Sequence, residues 1–269
     1  MRTLFKVGIS LLLLAFVLIG LSYGVLRTQG VSSPSNPAGR VLGSELRPLG
    51  KDIINVELSG PIDLTVRQGA TPLLKVRGEQ RLLANVDTRL EGNTVHIGTK
   101  GMLLHHRSPL QVELVLPALQ QLEVNGSGDS TVNGFSAERF TLQLDGSGNV
   151  TLNGSFRQII GAVHGSGNLN LNGGDSDSVL LQISGSGQIT ASGSSKSLKA
   201  ALTGSGDLDA EHLASDQVSV NLSGSGTAHV FAKEVAKLIL RGSGDIDVSG
   251  NPSQRTVNRS GSGDVNWNQ

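Results

Sequence analysis

The chain has 269 residues, a formal net charge of zero, 36 glycines and no cysteine. The lack of cysteine excludes a disulfide framework, a cysteine-ligated zinc site and an anchor acylated on cysteine. Aromatic residues make up only 3% of the chain, and residues 108–269 carry 9 Lys and Arg against 15 Asp and Glu, so the composition argues against nucleic acid as a partner.

The first segment, residues 1–27, is predicted to be a membrane anchor or a signal peptide. Residues 7–26 are a run of 20 residues without a charged side chain, and as a helix this run spans about 30 Å, the thickness of a bilayer's hydrocarbon core. Two basic residues precede it and Arg27 follows it, so we expect the rest of the chain to be exported. Two interpretations stay open: an uncleaved single-pass anchor in the inner membrane with a periplasmic domain, or a leader cleaved after Ser22-Tyr23-Gly24 that releases a periplasmic or secreted protein.

Residues 28–50 and 51–109 lead into the regular part of the chain. The first of these segments contains Ser32-Ser33-Pro34-Ser35-Asn36-Pro37 and lacks hydrophobic periodicity, which predicts a flexible linker. In the second, apolar residues alternate from Ile54 to Val66 around a Ser-Gly corner, which predicts a degenerate first coil. The alternation is then lost, so we assign the remainder to an N-terminal cap, with a separate small β-domain as the alternative.

A Gly-Ser-Gly triplet organises residues 110–269. Eight copies occur at intervals of 20, 19, 20, 19, 20, 18 and 19 residues, and they begin at Gly126, Gly146, Gly165, Gly185, Gly204, Gly224, Gly242 and Gly261. On both sides of each triplet apolar and polar residues alternate, which is typical of strands with one buried face. A repeat of this length is typical of a solenoid, whose units bury their apolar side chains by stacking. The sequence therefore predicts an all-β fold, a right-handed parallel β-helix whose coils of about 19 residues stack about 4.8 Å apart.

Positions within the repeat predict how the coils are filled and closed. We expect one internal row of stacked side chains from the residues two positions before successive triplets: Leu144, Val163, Ile183, Leu202 and Leu222. Glycine at both outer positions of the triplet is expected to supply the positive φ that a tight corner needs. Near the end of the chain, Arg255 and Arg259 replace apolar residues and Trp267 takes the last inward position, which predicts a lid over the final coil.

Several segments resemble a bacterial family called putative auto-transporter adhesin, head GIN domain. The resemblance is carried by residues 54–69, by the string 110–119 and by the recurrent Gly-Ser-Gly-Asp, and it extends over about residues 50–269. The run that leads through Leu116-Pro117-Ala118-Leu119 into Gly126 is its most specific part. The resemblance implies an exported β-helical domain with no established enzymatic activity.

One outward-facing group of side chains has the composition of a cation site or a catalytic site. Its members lie on three successive coils and are Asp207, Asp209, His229, Asp245 and Asp247. Two coil spacings place Asp207 about 9.6 Å from Asp245, near the upper limit for the two carboxylates of an inverting glycosidase. These strands contribute no arginine, so we predict a solvated surface with no catalytic residue and no cofactor. A divalent-cation site at the same five residues is the alternative.

Two further motifs receive a structural interpretation. The Gly-Ser-Gly triplets are not phosphate-binding loops, because a strand pattern rather than a helix follows each of them. His105 and His106 lie in an irregular stretch, where we expect an exposed loop rather than a metal site.

Two hypotheses about function follow from these patterns. The first is a non-enzymatic protein of the cell envelope, an adhesin-like binding or scaffold module. It would contact the membrane through its N-terminal segment and bind a surface ligand, either a glycan or an envelope protein, but no nucleic acid. The second is a carbohydrate-active or cation-dependent enzyme that uses the face around Asp207 and Asp247. A groove with converging acids favours the enzyme, whereas a flat array favours the binding module.

Overall fold

The structure is a computed structural model that describes residues 41–101 and 109–268. The predicted apolar segment 7–26 and the pair His105-His106 lie outside these residues. Within them, no helix is both long and apolar enough to cross a membrane. Strands account for 77% of the described residues and helix for 2%, so the predicted all-β class is confirmed.

The described residues form seventeen strands and one short helix. In chain order they are β1 (Leu42–Arg47), β2 (Asn55–Ser59), β3 (Ile62–Gln68), β4 (Leu73–Glu79), α1 (Gln80–Leu83), β5 (Val86–Glu91), β6 (Thr94–Thr99), β7 (Leu110–Leu116), β8 (Gln121–Gly126), β9 (Ser130–Gly146), β10 (Asn149–Gly165), β11 (Asn168–Gly185), β12 (Gln188–Gly204), β13 (Asp207–Gly224), β14 (Thr227–Gly242), β15 (Asp245–Ser249), β16 (Gln254–Gly261) and β17 (Val265–Asn268). The strands β9 to β14 are long because each follows the chain around most of one coil while pairing with its neighbours.

Successive coils stack through parallel strand pairing. β9 pairs with β10, and the same pairing continues to β11, β12, β13 and β14. Paired residues differ by 17 to 20 positions in the sequence, close to the spacing of the triplets. The predicted parallel β-helix is therefore confirmed, as a β-solenoid of about seven turns.

Rows of aliphatic side chains along the solenoid axis fill the core. Because parallel strands in register place equivalent residues over one another about every 4.8 Å, each buried side chain packs against its counterparts in the coils before and after it. Burial of one such side chain contributes roughly 1.5–3 kcal/mol. The predicted internal row is confirmed, since its members follow one another in register and are at most 4% exposed: Leu144, Val163, Ile183, Leu202 and Leu222.

The N-terminal segment continues the solenoid with shorter strands. β2 pairs in parallel with β6 and β8, and β3 pairs in parallel with β7 and β9. Leu58 and Val66 therefore take the same positions in the coil as Val124 and Val132. The chain departs from the regular coil at β4, which runs antiparallel to β7, and at β5, which forms an antiparallel hairpin with β6.

β1 corrects the expectation of a flexible linker for residues 42–47, whereas residues 28–40 of that predicted segment lie outside the described residues. Residues 42–47 pair antiparallel with β4 over six positions. The Arg47 guanidinium fixes the end of this strand by donating to the backbone oxygens of Val86 at 2.5 Å and Leu83 at 2.7 Å. Most side chains of β1 are exposed. Main-chain hydrogen bonds and one arginine therefore hold the strand in place. Sequence analysis missed it because its residues lack an alternation of apolar and polar side chains.

Positive φ occurs at the first glycine of seven triplets and at the second glycine of none, which corrects the expectation of positive φ at both. Gly224, the first glycine of its triplet, has a φ of 142°, in the region that favours glycine. Gly226, the second, lacks a positive φ, but a Cβ there would lie 2.0 Å from the carbonyl oxygen of Gly206 in the preceding coil. The second glycine is therefore required by the close stacking of neighbouring corners.

The last coil contains the residues of the predicted lid. β16 pairs with β14, and all eight of its residues are exposed. The Arg255 guanidinium lies 4.4 Å from the centroid of the Trp267 ring, a cation–π contact, and Trp267 packs partly buried against the core. Arg259 donates to Asp264 at 2.6 Å. The predicted lid is therefore confirmed for Arg255 and Trp267.

Ser130 interrupts an aliphatic row of the core, and its removal is expected to stabilise the protein. It lies in register between Leu64 and Val150, is 1% exposed, and its hydroxyl has no hydrogen-bond partner among the described residues. An unpartnered buried hydroxyl costs roughly 1–3 kcal/mol. We expect Ser130→Ala to raise the free energy of unfolding by about 1 kcal/mol in a denaturant titration.

A second buried serine provides the matched control. Ser215 is fully buried, but its hydroxyl lies 2.8 Å from the Ser195 hydroxyl and donates to the Leu213 carbonyl at 3.1 Å. Ser215→Ala is therefore expected to lower the free energy of unfolding by about 1 kcal/mol. Equal losses in the two variants would contradict the assignment of Ser130 as an unpartnered group.

Candidate binding faces

Two long outward faces of the solenoid carry regular rows of polar side chains. The acidic face consists of the outward side chains in the segments that follow the triplets: residues 129–133, 149–153, 168–172, 188–192, 207–211, 227–231, 245–249 and 264–268. The amide face consists of the outward side chains in the segments that precede the triplets: residues 141–145, 160–164, 180–184, 199–203, 219–223, 237–241 and 256–260. In both, the parallel register brings equivalent residues of neighbouring coils side by side.

On the acidic face, amides and carboxylates of the first coils are hydrogen-bonded in rows. Asn149 Nδ2 donates to Asp129 Oδ1 at 2.9 Å, and Asn168 Nδ2 donates to Asn149 Oδ1 at 2.8 Å. In a second row Asn153 Nδ2 donates to Asn133 Oδ1 at 2.8 Å. Such ladders add side-chain hydrogen bonds to the main-chain pairing of stacked strands. They hold the polar side chains of this face in a flat array.

The carboxylates of Asp207 and Asp245 continue the first row, and each is engaged by the following coil. Asp207 Oδ1 accepts hydrogen bonds from the Thr227 N–H at 2.8 Å and from the Thr227 hydroxyl at 2.7 Å. Asp245 Oδ1 accepts the N–H of Asp264 at 2.9 Å. Thr227 lies between the two carboxylates in the row. The two acids therefore bind neighbouring coils and do not converge on a common point.

The other three candidates lie in the next row of the same face. His229 Nδ1 lies 3.1 Å from Asp247 Oδ2, and Asn266 Nδ2 donates to Asp247 Oδ1 at 2.8 Å. Asp209 is in register with His229 on its other side and accepts the N–H of Glu211 at 3.4 Å. In the part of the chain that the structure describes, no three His, Asp or Glu side chains are placed to hold a metal ion.

Calcium is expected to leave the stability of the protein unchanged. Ca²⁺ takes six to eight oxygen ligands, whereas Oδ1 of Asp207 and Oδ1 of Asp245 each accept a hydrogen bond from the next coil and the two carboxylates do not converge. A cation bound to the folded state would raise the melting temperature by mass action. We expect a shift below about 1 °C between millimolar CaCl₂ and EDTA. A rise of several degrees that disappears in the double variant Asp207→Asn/Asp245→Asn would contradict this.

The central row of the amide face alternates between carboxamide and apolar side chains. Its members stand three residues before successive triplets and follow one another in register: Gln143, Ala162, Gln182, Ala201, Asn221, Ile239 and Asn258. A carboxamide thus recurs every second coil, about 9.6 Å along the axis. Gln182 and Asn258 are exposed, and their amides have no hydrogen-bond partner among the described residues. Sequence reasoning missed this row, although its constant distance from the triplet is a signal that could have revealed it.

Uncompensated positive charge lies beside this row. Lys199 and Lys237 are exposed and stand two coils apart, with Ser219 between them in register. Neither lysine makes an ion pair with any described residue. Arg241, on the same strand as Lys237, donates to the Asn221 side chain at 3.4 Å. Since the outward positions of this face from residue 160 to residue 260 include no Asp or Glu, these cations give it a positive potential.

Two other lysines of the same coils lie on a corner and are paired. Lys196 Nζ lies 2.5 Å from Asp177 Oδ1, and Lys233 Nζ lies 3.0 Å from Asp216 Oδ1. Hydrogen bonds from Lys196 and then from Arg157 lower the pKa of the Asp177 carboxyl, and the same bond to Asp177 raises the pKa of Lys196. These ion pairs are exposed and contribute little to stability. They neutralise the corner, in contrast to the amide face.

The repeat and the fold agree with a family comparison. A profile of the family described as putative auto-transporter adhesin, head GIN domain, matches residues 54–174 and 163–252. The chain belongs to this family. The resemblance carried by residues 54–69 and 110–119 is thereby confirmed. Membership of this adhesin-like family implies an exported or cell-surface protein.

Solved structures share the fold of this family member. A putative adhesin from Parabacteroides distasonis superposes with a TM-score of 0.77 at 24% identity, over 86% of this chain and 98% of its own. A putative adhesin from Parabacteroides merdae gives 0.73 at 20%, over 85% and 96%. A protein from Parabacteroides distasonis described as a putative lipid binding protein gives 0.78 at 22%, over 85% and 97%. No curated protein matches the chain in sequence.

Proposed function

We propose that this chain is a non-enzymatic, adhesin-like binding module of the cell envelope. The observation that carries the proposal is the flat, regular array of polar side chains on both outward faces, in which Asp207 and Asp245 bind adjacent coils. Solenoids characteristically use such extended surfaces to bind partners. Catalysis instead needs acidic, basic or nucleophilic side chains that converge on one reacting atom. Membership of an adhesin-like family supports the same reading.

The enzymatic alternative at the acidic face has less support. Asp207 and Asp245 are about 9.6 Å apart by coil spacing, at the upper limit for an inverting pair. However, each accepts a main-chain N–H of the next coil, and the Thr227 side chain lies between them. Oδ1 of each aspartate is therefore engaged in holding the next coil and is not directed at a common glycosidic oxygen.

The binding experiment uses the full-length chain, purified in a non-ionic detergent, on an array of glycans and envelope or matrix proteins. We expect binding to at least one class of surface component, and we expect the double variant Asp207→Asn/Asp245→Asn to retain it. Release of reducing ends from an arrayed glycan, lost in that double variant, would favour the enzyme and refute the proposal.

We place the module outside the cytoplasm, in contact with the membrane through residues 1–27. The 20-residue uncharged run and its basic flanks support this placement. Fractionation of expressing cells separates the two forms. An intact N-terminus in the membrane fraction identifies an anchor, and a mature chain that starts near Val25 in the soluble envelope fraction identifies a cleaved signal. Recovery of the chain as a soluble cytoplasmic protein would refute both.

A further inference from the structure

We propose that the amide face binds an extended acidic polysaccharide that lies along the solenoid axis, with one disaccharide of the glycan over every two coils. This inference rests on the proposed function as a binding module and names the ligand class and the face. The ligand chemistry follows from three properties of the face: its period, its charge and its shape.

The period of the face is two coils. Carboxamides at Gln182, Asn221 and Asn258 recur in alternate coils, with Ala201 and Ile239 between them. The resulting repeat of about 9.6 Å is close to the length of one disaccharide in an extended β-linked glycan, in which every second sugar presents the same edge. Each carboxamide can donate to and accept from sugar hydroxyl or acetamido groups, and the apolar positions between them lie under the pyranose rings.

The two unpaired lysines of the face are separated by the same distance. Lys199 and Lys237 stand two coils apart, on the strands that carry Ala201 and Ile239. Both are exposed and unpaired in the described structure, so their charges are available to a ligand. A glycan with one carboxylate per disaccharide would place two successive carboxylates beside these two lysines. Asp207, Asp209, Asp245 and Asp247 make the acidic face negative, which would keep such a ligand from binding there.

The shape of the face suits a chain that lies flat. Parallel strands in register make an even surface, and Ala162 and Ala201 are small residues on its central line. Towards the last coil a shallow depression is lined by Ile239, Arg241, Asn258 and Ser260. Arg241 offers a planar guanidinium for a carboxylate at this end.

A nucleic acid fits the same face less well. A nucleic acid strand carries one charge about every 3.4 Å, roughly three times the charge density that lysines at alternate coils can match. The face also lacks the aromatic platform on which bases stack, since its outward side chains from residue 160 to residue 260 include no Phe, Tyr or Trp.

The test measures the affinity of the full-length chain, in detergent, for hyaluronan, which has one carboxylate per disaccharide. We expect saturable binding that weakens as salt is raised, and at least a tenfold weaker Kd in the double variant Lys199→Gln/Lys237→Gln. Lys196→Gln/Lys233→Gln is the matched control, because it removes the same charge from the same two coils on the paired corner. This control is expected to change Kd less than about twofold.

Several results would overturn the inference. These are no binding of hyaluronan, equal losses of affinity in the two double variants, equal binding of uncharged chitin oligosaccharides, or tighter binding of single-stranded DNA. A chain that binds an envelope protein or a neutral glycan but not hyaluronan refutes this inference and leaves the proposed function standing. Lack of binding to every arrayed component refutes the proposed function as well.

Discussion

Replacing Gly226 with alanine should lower the melting temperature by about 6 °C or more, which corresponds to about 3 kcal/mol for a domain of this size. The added Cβ would lie 2.0 Å from the carbonyl oxygen of Gly206. That oxygen belongs to the main chain of the neighbouring coil, so a side-chain rotation cannot relieve the clash. The corner of one coil must move away from the next, and hydrogen bonds such as that from the Asp245 N–H to the Gly226 carbonyl at 3.2 Å would be strained.

Ser225→Ala is the control for this substitution, because it adds no atom and lies in the same triplet. The Ser225 side chain is exposed, and its main-chain N–H keeps its bond to the Gly204 carbonyl at 2.9 Å. Thermal melts followed by circular dichroism should show a change below about 1 °C for this variant. Equal melting temperatures for Gly226→Ala and Ser225→Ala would show that close stacking of the corners is not the reason for the second glycine.

Phe156→Ala should produce the second large loss, about 3–5 kcal/mol. Phe156 is 1% exposed and stacks on Phe140, with ring centroids 4.8 Å apart and an interplanar angle of 26°. Removal of the ring leaves a cavity inside the corner. The main chains of the adjacent coils are paired with each other and prevent the corner from collapsing into this cavity. Because a solenoid unit contacts only its neighbours, the loss should be local. Hydrogen exchange should accelerate first in β9, β10 and β11, while β14 keeps its protection.

Phe156→Leu serves as the control, since it retains most of the apolar volume. We expect it to cost about 1–2 kcal/mol and to leave the exchange pattern of β9 and β10 close to that of the original protein. Uniformly faster exchange across all coils in Phe156→Ala would contradict a local role of the ring pair.

The features of the fold that repeat in every coil were predictable from the sequence. The spacing of the triplets and the alternation around them predicted the parallel β-helix and the row from Leu144 to Leu222, because one rule applies at each repeat. The lid was predictable for a related reason. Arg255 stands where the rule fails, and a position that breaks a strict pattern is conspicuous, while Trp267 fills the last inward position of the pattern.

Features that depend on contacts between unlike positions were not predictable. Phe140 is in register with Ile159 and Phe156 with Ala137, so no comparison of repeats would bring the two rings together. β1 has no apolar alternation and depends on Arg47 and on main-chain pairing with β4. The need for Gly226 arises from a carbonyl of another coil rather than from its own φ. Among the candidate site residues, the sequence placed the aspartates on one face but gave no sign that Asp207 would bind Thr227.

The alternation along the amide face restricts how this protein can change in length during evolution. Duplication or loss of a single coil would bring two carboxamides, or two apolar residues, side by side and would alter the spacing of Lys199 and Lys237. Gain or loss of two coils, 39 residues as from Gly146 to Gly185, would leave the order of the row intact. Relatives that keep this face should therefore differ by even numbers of coils, because coils would be gained or lost in pairs.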